Sequence, residues 1–538
     1  MLLRWLRGTL AVALLVVPGR VAQAEDAPRF LVFHLDAVSA CVFEAALADG
    51  RLPNVVRAFE GGTYRRALTL FPASTPMIYP RLRTGECNAG GVAVGFGGFD
   101  RARDRSIHEV EVFLGLVEAL PRRAVTTLVY GVPGLDVLAS LAMQNLPALL
   151  ERYEVVEFLW FSTDTYGHLF GADAHARSLD RFDAALGQLL PHVDLERTNL
   201  ILYADHGLTF CDDTVDLDAL YEARVGGDLR HVAYPNLYLH DPDAAARVAA
   251  ALAVDGGVDY AFFRAGPDRV EGYVDGHWLA FVGDGDGVAY RSHDDPLGYV
   301  ELGYDGAALT REAWLDLTVN ARYPATPANI YGYMQHPGAG DVVAGVNPPR
   351  IPRTVRANRG NHAGIVASDL VVPVLTRGPG LAHIDADRPI WLHQLYDGVD
   401  ELTEARPPTR EAHAFGVAWR LDDASAVAHV TVSPGEGRRL VADADRDRWQ
   451  AWAEVDVAST YLTRWWLGAG VAYQPLVGAM DPMARATVEL DLSNARVSVD
   501  ATYTPRRWTV GVGLSLRVVD GWRVWYRSPT AVGIAFEW

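Results

Sequence analysis

The sequence predicts an α/β protein with a central, mostly parallel sheet, an inserted α+β region and a C-terminal antiparallel all-β domain. Three observations carry this. Apolar runs ending in Asp, Gly or Arg alternate with amphipathic helical stretches between residues 29 and 406, as buried parallel strands and their crossovers do. Residues 209–350 break that rhythm and are rich in Gly and Asp. Beyond residue 407 apolar and polar residues alternate strictly, which is the period of a two-faced strand.

The chain has 538 residues, 50% of them hydrophobic, and a formal charge of −19. That length and composition suit two or more domains with large cores. The charge argues against a nucleic-acid scaffold gripped through phosphates, though not against one phosphate held in a metal-neutralised pocket. Lysine is absent, which excludes Schiff-base chemistry and Walker-type phosphate lysines.

Residues 1–24 read as a signal peptide. Arg4 and Arg7 precede the apolar "LAVALLVV" (10–17), and "AQA" (22–24) ends it, as in an exported chain. The expected location is therefore the periplasm or the outer membrane. Three cysteines, Cys41, Cys87 and Cys211, are too few for a disulfide scaffold.

Five runs, "FLVFHLD" (30–36), "AVTTLVYG" (124–131), "VVEFLWF" (155–161), "NLILYADHG" (199–207) and "LVVPVLTRG" (370–378), are predicted as parallel strands. Between the third and fourth, residues 174–193 place Leu179, Phe182, Leu186 and Leu190 on one side of a helix. Residues 209–350 read as a cap inserted into a domain spanning 25–406, with one clear helix over 241–254.

Residues 407–538 form about eight alternating segments. In "WTVGVGLSLRV" (508–518), Trp508, Val510, Val512, Leu514, Leu516 and Val518 share a face. Either an antiparallel sandwich or a small transmembrane barrel with a polar lumen satisfies this pattern. The terminal "AVGIAFEW" resembles the last strand of bacterial outer-membrane barrels, which would bring the domain into contact with lipid.

Asp36 closes the first run, Asp164 and His168 follow the third, Asp205 and His206 end the fourth, and His362 in "RGNHAG" precedes the fifth. Ligands in such sheets sit beyond the carboxyl ends of the strands. If these ends are neighbours, three carboxylates and three imidazoles meet in one pocket. Burying a carboxylate without a partner costs on the order of several kcal/mol, and no Arg cluster flanks these ends. Asp and His without Cys suit Zn²⁺ or Mn²⁺, and six ligands divide naturally into two sites. Thr75, in "FPASTP", lies where a turn leads into a helix. A hydroxyl there, next to a divalent ion, becomes a nucleophile. Ser74 competes with it by residue type.

The order of these motifs resembles the alkaline phosphatase superfamily, specifically its type I phosphodiesterase/nucleotide pyrophosphatase branch, over residues 29–405. The matching segments are "HLDA", "LPNVVRAFEGGTY", "FPASTP…TGE", "DTYGHLFG", "ADHG", "YPNLYL" and "GNHAGIVASDLVVPVLTRGPG". The resemblance implies an alkaline-phosphatase-like sandwich. It also implies one ion on Asp36, Thr75, Asp205 and His206, and a second on Asp164, His168 and His362. The ions would be Zn²⁺, with Mn²⁺ or Mg²⁺ as alternatives. Spacing to "TG" favours Thr75 over Ser74.

The function implied is that of an exported two-metal phosphohydrolase acting on a small phosphate ester, either a phosphodiester, nucleotide or phospholipid, through a phospho-threonine intermediate. One position departs from the family: Ile78 stands where an Asn usually helps hold a phosphoryl oxygen. Two alternatives follow. One is a sulfatase-like hydrolase, which lacks its Arg at the same Ile78. The other is a catalytically weak, metal-binding surface protein anchored by its β domain.

Overall fold

The computed structural model describes residues 29–86, 97–107, 111, 124–125, 139–140, 143–144, 146–150, 154–211, 213–353, 359–381, 388–399 and 402. In the C-terminal region it describes 414–420, 426–435, 438–444, 449–459, 463–474, 479–492, 495–505, 507–519, 522–527 and 531–537. The expected signal peptide, Cys87 and all but Ala124–Val125 of the second predicted strand lie outside these residues.

A seven-stranded sheet forms the first core. Its order is Ile390–Trp391, Thr63–Leu68, Val371–Arg377, Thr198–Ala204, Arg29–Leu35, Val155–Trp160 and Ala124–Val125. Arg29–Leu35 runs parallel to both of its neighbours. All seven residues of Thr198–Ala204 are buried, because elements cover both faces of the sheet. The helix Ala172–Leu189 lays Leu179, Phe182 and Leu186 on one face as its periodicity requires. Phe182 meets Phe33 and Trp160 edge-on, each at 5.7 Å between ring centroids. Such contacts add to the area term.

One expectation is corrected here. Val371–Arg377 is antiparallel to both Thr198–Ala204 and Thr63–Leu68. A run buried on both faces looks the same in either direction. The reversal matters, because the chain enters this strand at the sheet edge where the parallel strands end. His362 therefore reaches the same edge as Asp36, Asp164 and Asp205.

Residues 209–350 hold a second seven-stranded sheet. Its order is Leu229–Ala233, Asn236–Leu239, Val342–Gly345, Tyr260–Gly266, Arg269–Val274, His277–Asp284 and Gly287–Ser292, with antiparallel pairing throughout. The expected helix appears as Ala245–Ala253 after a short 3₁₀ turn. A core joins this sheet to the segment on either side of Thr75, with Leu70, Phe71 and Met77 packing among Tyr260, Phe262 and Tyr333.

The C-terminal domain is an antiparallel barrel of ten strands, more than the eight expected. It is not a sandwich, because the first strand, Ala414–Arg420, pairs with the last, Ala531–Glu537. The strands Trp449–Ser459, Thr463–Gln474, Ala479–Leu492 and Arg507–Val519 have 11, 12, 14 and 13 residues, long enough to cross a bilayer when tilted.

Its polarity is inverted relative to a water-soluble core. Leu440, Val455, Leu467, Val471, Val499, Val510 and Val512 are exposed, Val510 at 68%. Inside, Arg439 binds Glu454 (2.5 Å) and Glu489 (2.7 Å), and Arg485 binds Asp500 (3.0 Å). Trp466 donates to Glu489 (2.9 Å) and Thr487 to Glu454 (3.1 Å). At one end of the barrel, Trp449 packs on Tyr473 and Trp508 on Tyr503. Among the described residues no helix is long and apolar enough to cross a membrane.

Candidate active site

Each candidate side chain is delivered by a strand end or a helix start. Asp36 follows Arg29–Leu35, and the next residue, Ala37, takes a left-handed backbone (φ 59°). That strained conformation for a residue with a Cβ aims the Ala37 N–H at Asp205 Oδ1 (3.3 Å). Asp164 and His168 occupy successive turns of the helix Ser162–Phe170, with Nε2 and Oδ1 3.1 Å apart. Asp205 and His206 leave Thr198–Ala204 directly. Gly207 follows because a Cβ there would sit 1.9 Å from the Ser368 carbonyl oxygen. This accounts for the glycine of "DHG". Ala363, after His362, repeats the positive φ at 76°.

Thr75 opens the helix Thr75–Thr84, with Ser74 ahead of it and Pro76 in the first turn. Its hydroxyl lies 3.5 Å from His206 Nε2 and against the Asp36 and Asp205 carboxylates. Ser74, the competing nucleophile, is buried with an unpartnered hydroxyl. Ile78 is 1% exposed and belongs to the main apolar core.

The structure brings all seven predicted residues together, but it divides them differently. Ligand atoms of Asp164, His206 and His362 lie within 4.8 Å of one another, and so do those of His34, Asp36 and Asp205. His206 stands between the groups, 3.5 Å from both Asp36 and Asp205. His34 is the residue that sequence reasoning missed. It hides inside an apolar strand, and its only signal is the two-residue step to Asp36, which puts both side chains on one face.

The donor set fits divalent cations. The Nδ1 atoms of His168, His206 and His362 meet the carbonyls of Gly360 (2.7 Å), Gly207 (2.9 Å) and Ala73 (2.6 Å). Each ring therefore carries a proton on Nδ1 and turns its Nε2 inward, where a cation can take the place of any second proton, the arrangement seen in metal-ligating histidines. Asp36 Oδ1, Asp164 Oδ1 and Asp205 Oδ2 are buried without a hydrogen-bond partner. Lone pairs then face lone pairs across the pocket, and a cation is what satisfies them.

Titration follows the same logic. Burial pushes the Asp36 carboxyl well above the usual carboxylate range, and the neighbouring Asp205 and Asp164 push it further. Burial acts the same way on Asp164, but His168, His362 and His206 outweigh it and hold it at about 2. Asp205 is likewise lowered, against burial, by His206 and His34. Burial, then His206 and His168, bring His362 down to about 3. His168 rises despite burial because Asp164 lies beside it.

Residues 117–265 match the model of the family described as type I phosphodiesterase / nucleotide pyrophosphatase. The resemblance to that family is borne out. The matched segment carries Asp164, His168, Asp205 and His206, and the match supports a metal-dependent phosphoric ester hydrolase. Solved structures similar to it include murine ectonucleotide pyrophosphatase / phosphodiesterase 5, at 14% identity and a TM-score of 0.43, covering 70% of this chain and 95% of that one. The human counterpart has 14% identity and a TM-score of 0.44, over 70% and 96%. Phosphonoacetate hydrolase from Sinorhizobium meliloti 1021 has 15% identity and a TM-score of 0.37, over 71% and 97%. No curated protein matches the chain.

Proposed function

We propose that the protein is an exported phosphohydrolase that uses two divalent cations and Thr75 to cleave a small phosphate ester, and that its barrel anchors it in an outer membrane. The observation that carries the catalytic reading is the gathering of three unpartnered carboxylate oxygens and three inward Nε2 atoms in one pocket, where His206 Nε2 lies 3.5 Å from the Thr75 hydroxyl.

As the family resemblance implies, Asp36, Asp205, His206 and Thr75 would hold one ion and Asp164, His168 and His362 the other. His206 borders both, its ligand atom lying within 4.8 Å of those of Asp164 and His362 and 3.5 Å from Asp36. Zn²⁺ suits this set best, and Mn²⁺ or Mg²⁺ are the alternatives. When bound, the ions lower the pKa of a nearby hydroxyl and neutralise phosphoryl oxygens. Thr75 Oγ attacks phosphorus in line as the bond to the leaving oxygen breaks, giving phospho-Thr75 and an alcohol. Water then attacks phosphorus, returning free Thr75 and phosphate or a monoester. With Ile78 in the core, backbone N–H groups at the helix start are left to meet the phosphoryl oxygens.

The membrane reading is supported by apolar residues outside the barrel, a charged interior and a paired aromatic rim, the distribution of a barrel in lipid. A phosphodiester, nucleotide or phospholipid substrate is compatible with this placement.

The test is hydrolysis of bis-p-nitrophenyl phosphate, p-nitrophenyl phosphate and p-nitrophenyl sulfate with added Zn²⁺, Mn²⁺ or Mg²⁺. The expected result is cleavage of a phosphate ester, lost by on the order of 10³-fold or more in Thr75→Ala. Full activity of that variant overturns the nucleophile. Preference for the sulfate favours the sulfatase-like alternative, and no turnover by the metal-loaded wild type favours the binding-only one.

A further inference from the structure

We propose that His34 is a positioning residue that, with two backbone N–H groups, occupies one oxygen of Asp205 and commits the other to a metal ion. The inference rests on the two-cation reading above.

His34 is fully buried, and its Nε2 lies 3.0 Å from Asp205 Oδ1. The same oxygen accepts the His206 N–H at 2.9 Å and the Ala37 N–H at 3.3 Å. Oδ2 has no hydrogen-bond partner and faces His206 Nε2 at 3.5 Å. The two oxygens of one carboxylate are thus treated differently. Oδ1 is surrounded by the protein's own donors, and Oδ2 is left with its lone pairs directed into the pocket.

The proton that makes His34 a donor is placed by a third residue. The Tyr79 hydroxyl contacts His34 Nδ1. A phenol can donate or accept, but the Asp205 carboxylate at Nε2 only accepts; the imidazole proton therefore sits on Nε2, facing Asp205, and Nδ1 accepts from the Tyr79 hydroxyl. Nε2–H approaches Oδ1 on a bent line, which makes the contact an electrostatic brace more than a straight hydrogen bond. Tyr203 fixes the ring plane by stacking on it, with centroids 5.0 Å apart and planes 15° from parallel. Tyr79 lies one helical turn after Thr75 in the same helix. One imidazole therefore ties the helix that carries the nucleophile to the carboxylate on the neighbouring strand. Outer-shell partners of this kind typically change metal affinity by about 10–100-fold.

The experiment titrates the full chain in detergent, stripped of metal, with Zn²⁺ against a competing chelator, and records the visible spectrum of the Co²⁺ form. Wild type is expected to bind two ions. His34→Phe keeps the stack and removes the brace; it should weaken one ion by about 10–100-fold, leave the other unchanged and alter one Co²⁺ spectrum. His34→Gln, which can donate through its amide, should recover most of the loss, and Tyr79→Phe should move the same site in the same direction. If His34→Phe does not fold, the Gln and Tyr79→Phe variants carry the test. Wild-type affinity for both ions in the Phe variants overturns the proposal. So does equal weakening of both ions, or a Gln variant no better than Phe. A wild-type chain that binds no divalent ion defeats the two-cation reading itself, an outcome visible before any variant is made.

Discussion

The rings of His206 and His362 stack with centroids 4.1 Å apart and planes 29° from parallel. Two imidazoles held this way cannot both carry charge, and His362 is the one brought down to about 3. Its folded value lies below the ordinary 6.5, so in the metal-free protein its stabilising contribution is present above pH 6.5. It is lost as pH falls through 6.5 toward about 3, as for any base buried neutral. Asp36 works in the opposite sense. Its folded value is raised, so its contribution is present at low pH and is lost as pH climbs from its ordinary 3.8 through the raised value.

Cation binding should therefore release protons. His362 is already neutral at pH 6 to 7, whereas His168, raised above its ordinary 6.5 by Asp164, holds a proton that an ion displaces. Calorimetric titration with Zn²⁺ in two buffers of different ionisation enthalpy should show proton release near pH 6.5, and metal content after dialysis should fall from pH 8 to pH 5. Equal heats in both buffers would contradict this assignment.

Gly207→Ala should disable the site without touching a ligand atom. The new Cβ would meet the Ser368 carbonyl oxygen at 1.9 Å, and backbone cannot yield as a flexible side chain does. A stability loss of about 1–3 kcal/mol is expected from overpacking, together with reduced metal stoichiometry because His206 is the adjacent residue. Thermal melts of metal-free and metal-loaded protein measure both effects.

Arg485→Ala should loosen the barrel. Its guanidinium lies 3.0 Å from Asp500 and 3.6 Å from Glu454, whose side chain is 1% exposed. Removing it strips two buried carboxylates of a cationic partner, a change of the kind that costs about 3–5 kcal/mol. Gel migration of samples heated stepwise in detergent should lose its folded form at a lower temperature than in wild type.

Val510→Arg separates lipid from water. In a bilayer the substitution should cost up to about 2–4 kcal/mol at mid-depth and less near the headgroups. On a barrel surrounded by water the same change should be neutral. Urea unfolding from phospholipid vesicles supplies the measurement, and an unchanged midpoint would remove the membrane placement.

Much of the site was legible because chemistry gathers at strand ends. Asp36, Asp164 and Asp205 each terminate an apolar run, and the alternation of Trp508, Val510, Val512 and Leu514 marks the outward face of the barrel. Other features left no trace in one dimension. A strand buried on both faces carries no sign of its direction, so the reversal of Val371–Arg377 could not be read. His34 was absorbed into a run of core residues, where a period of two is a weaker signal than hydrophobicity. Thr63–Leu68 escaped notice because Arg65 and Arg66 make it look solvent-facing, although Arg65 is buried and Arg66 is held by Glu44 at 2.6 Å. The grouping around His206 depends on three-dimensional angles between elements, and residue order does not encode those in any direct way.

The seam between Ala414–Arg420 and Ala531–Glu537 gives the molecule a built-in order of events. A cylinder whose last stave locks against its first stays open until the final segment arrives, by which time the hydrolase half has long since emerged. Clipping that segment would leave nine staves and two unpaired edges, so the cylinder is made whole or not at all, while the catalytic half keeps its own separate core.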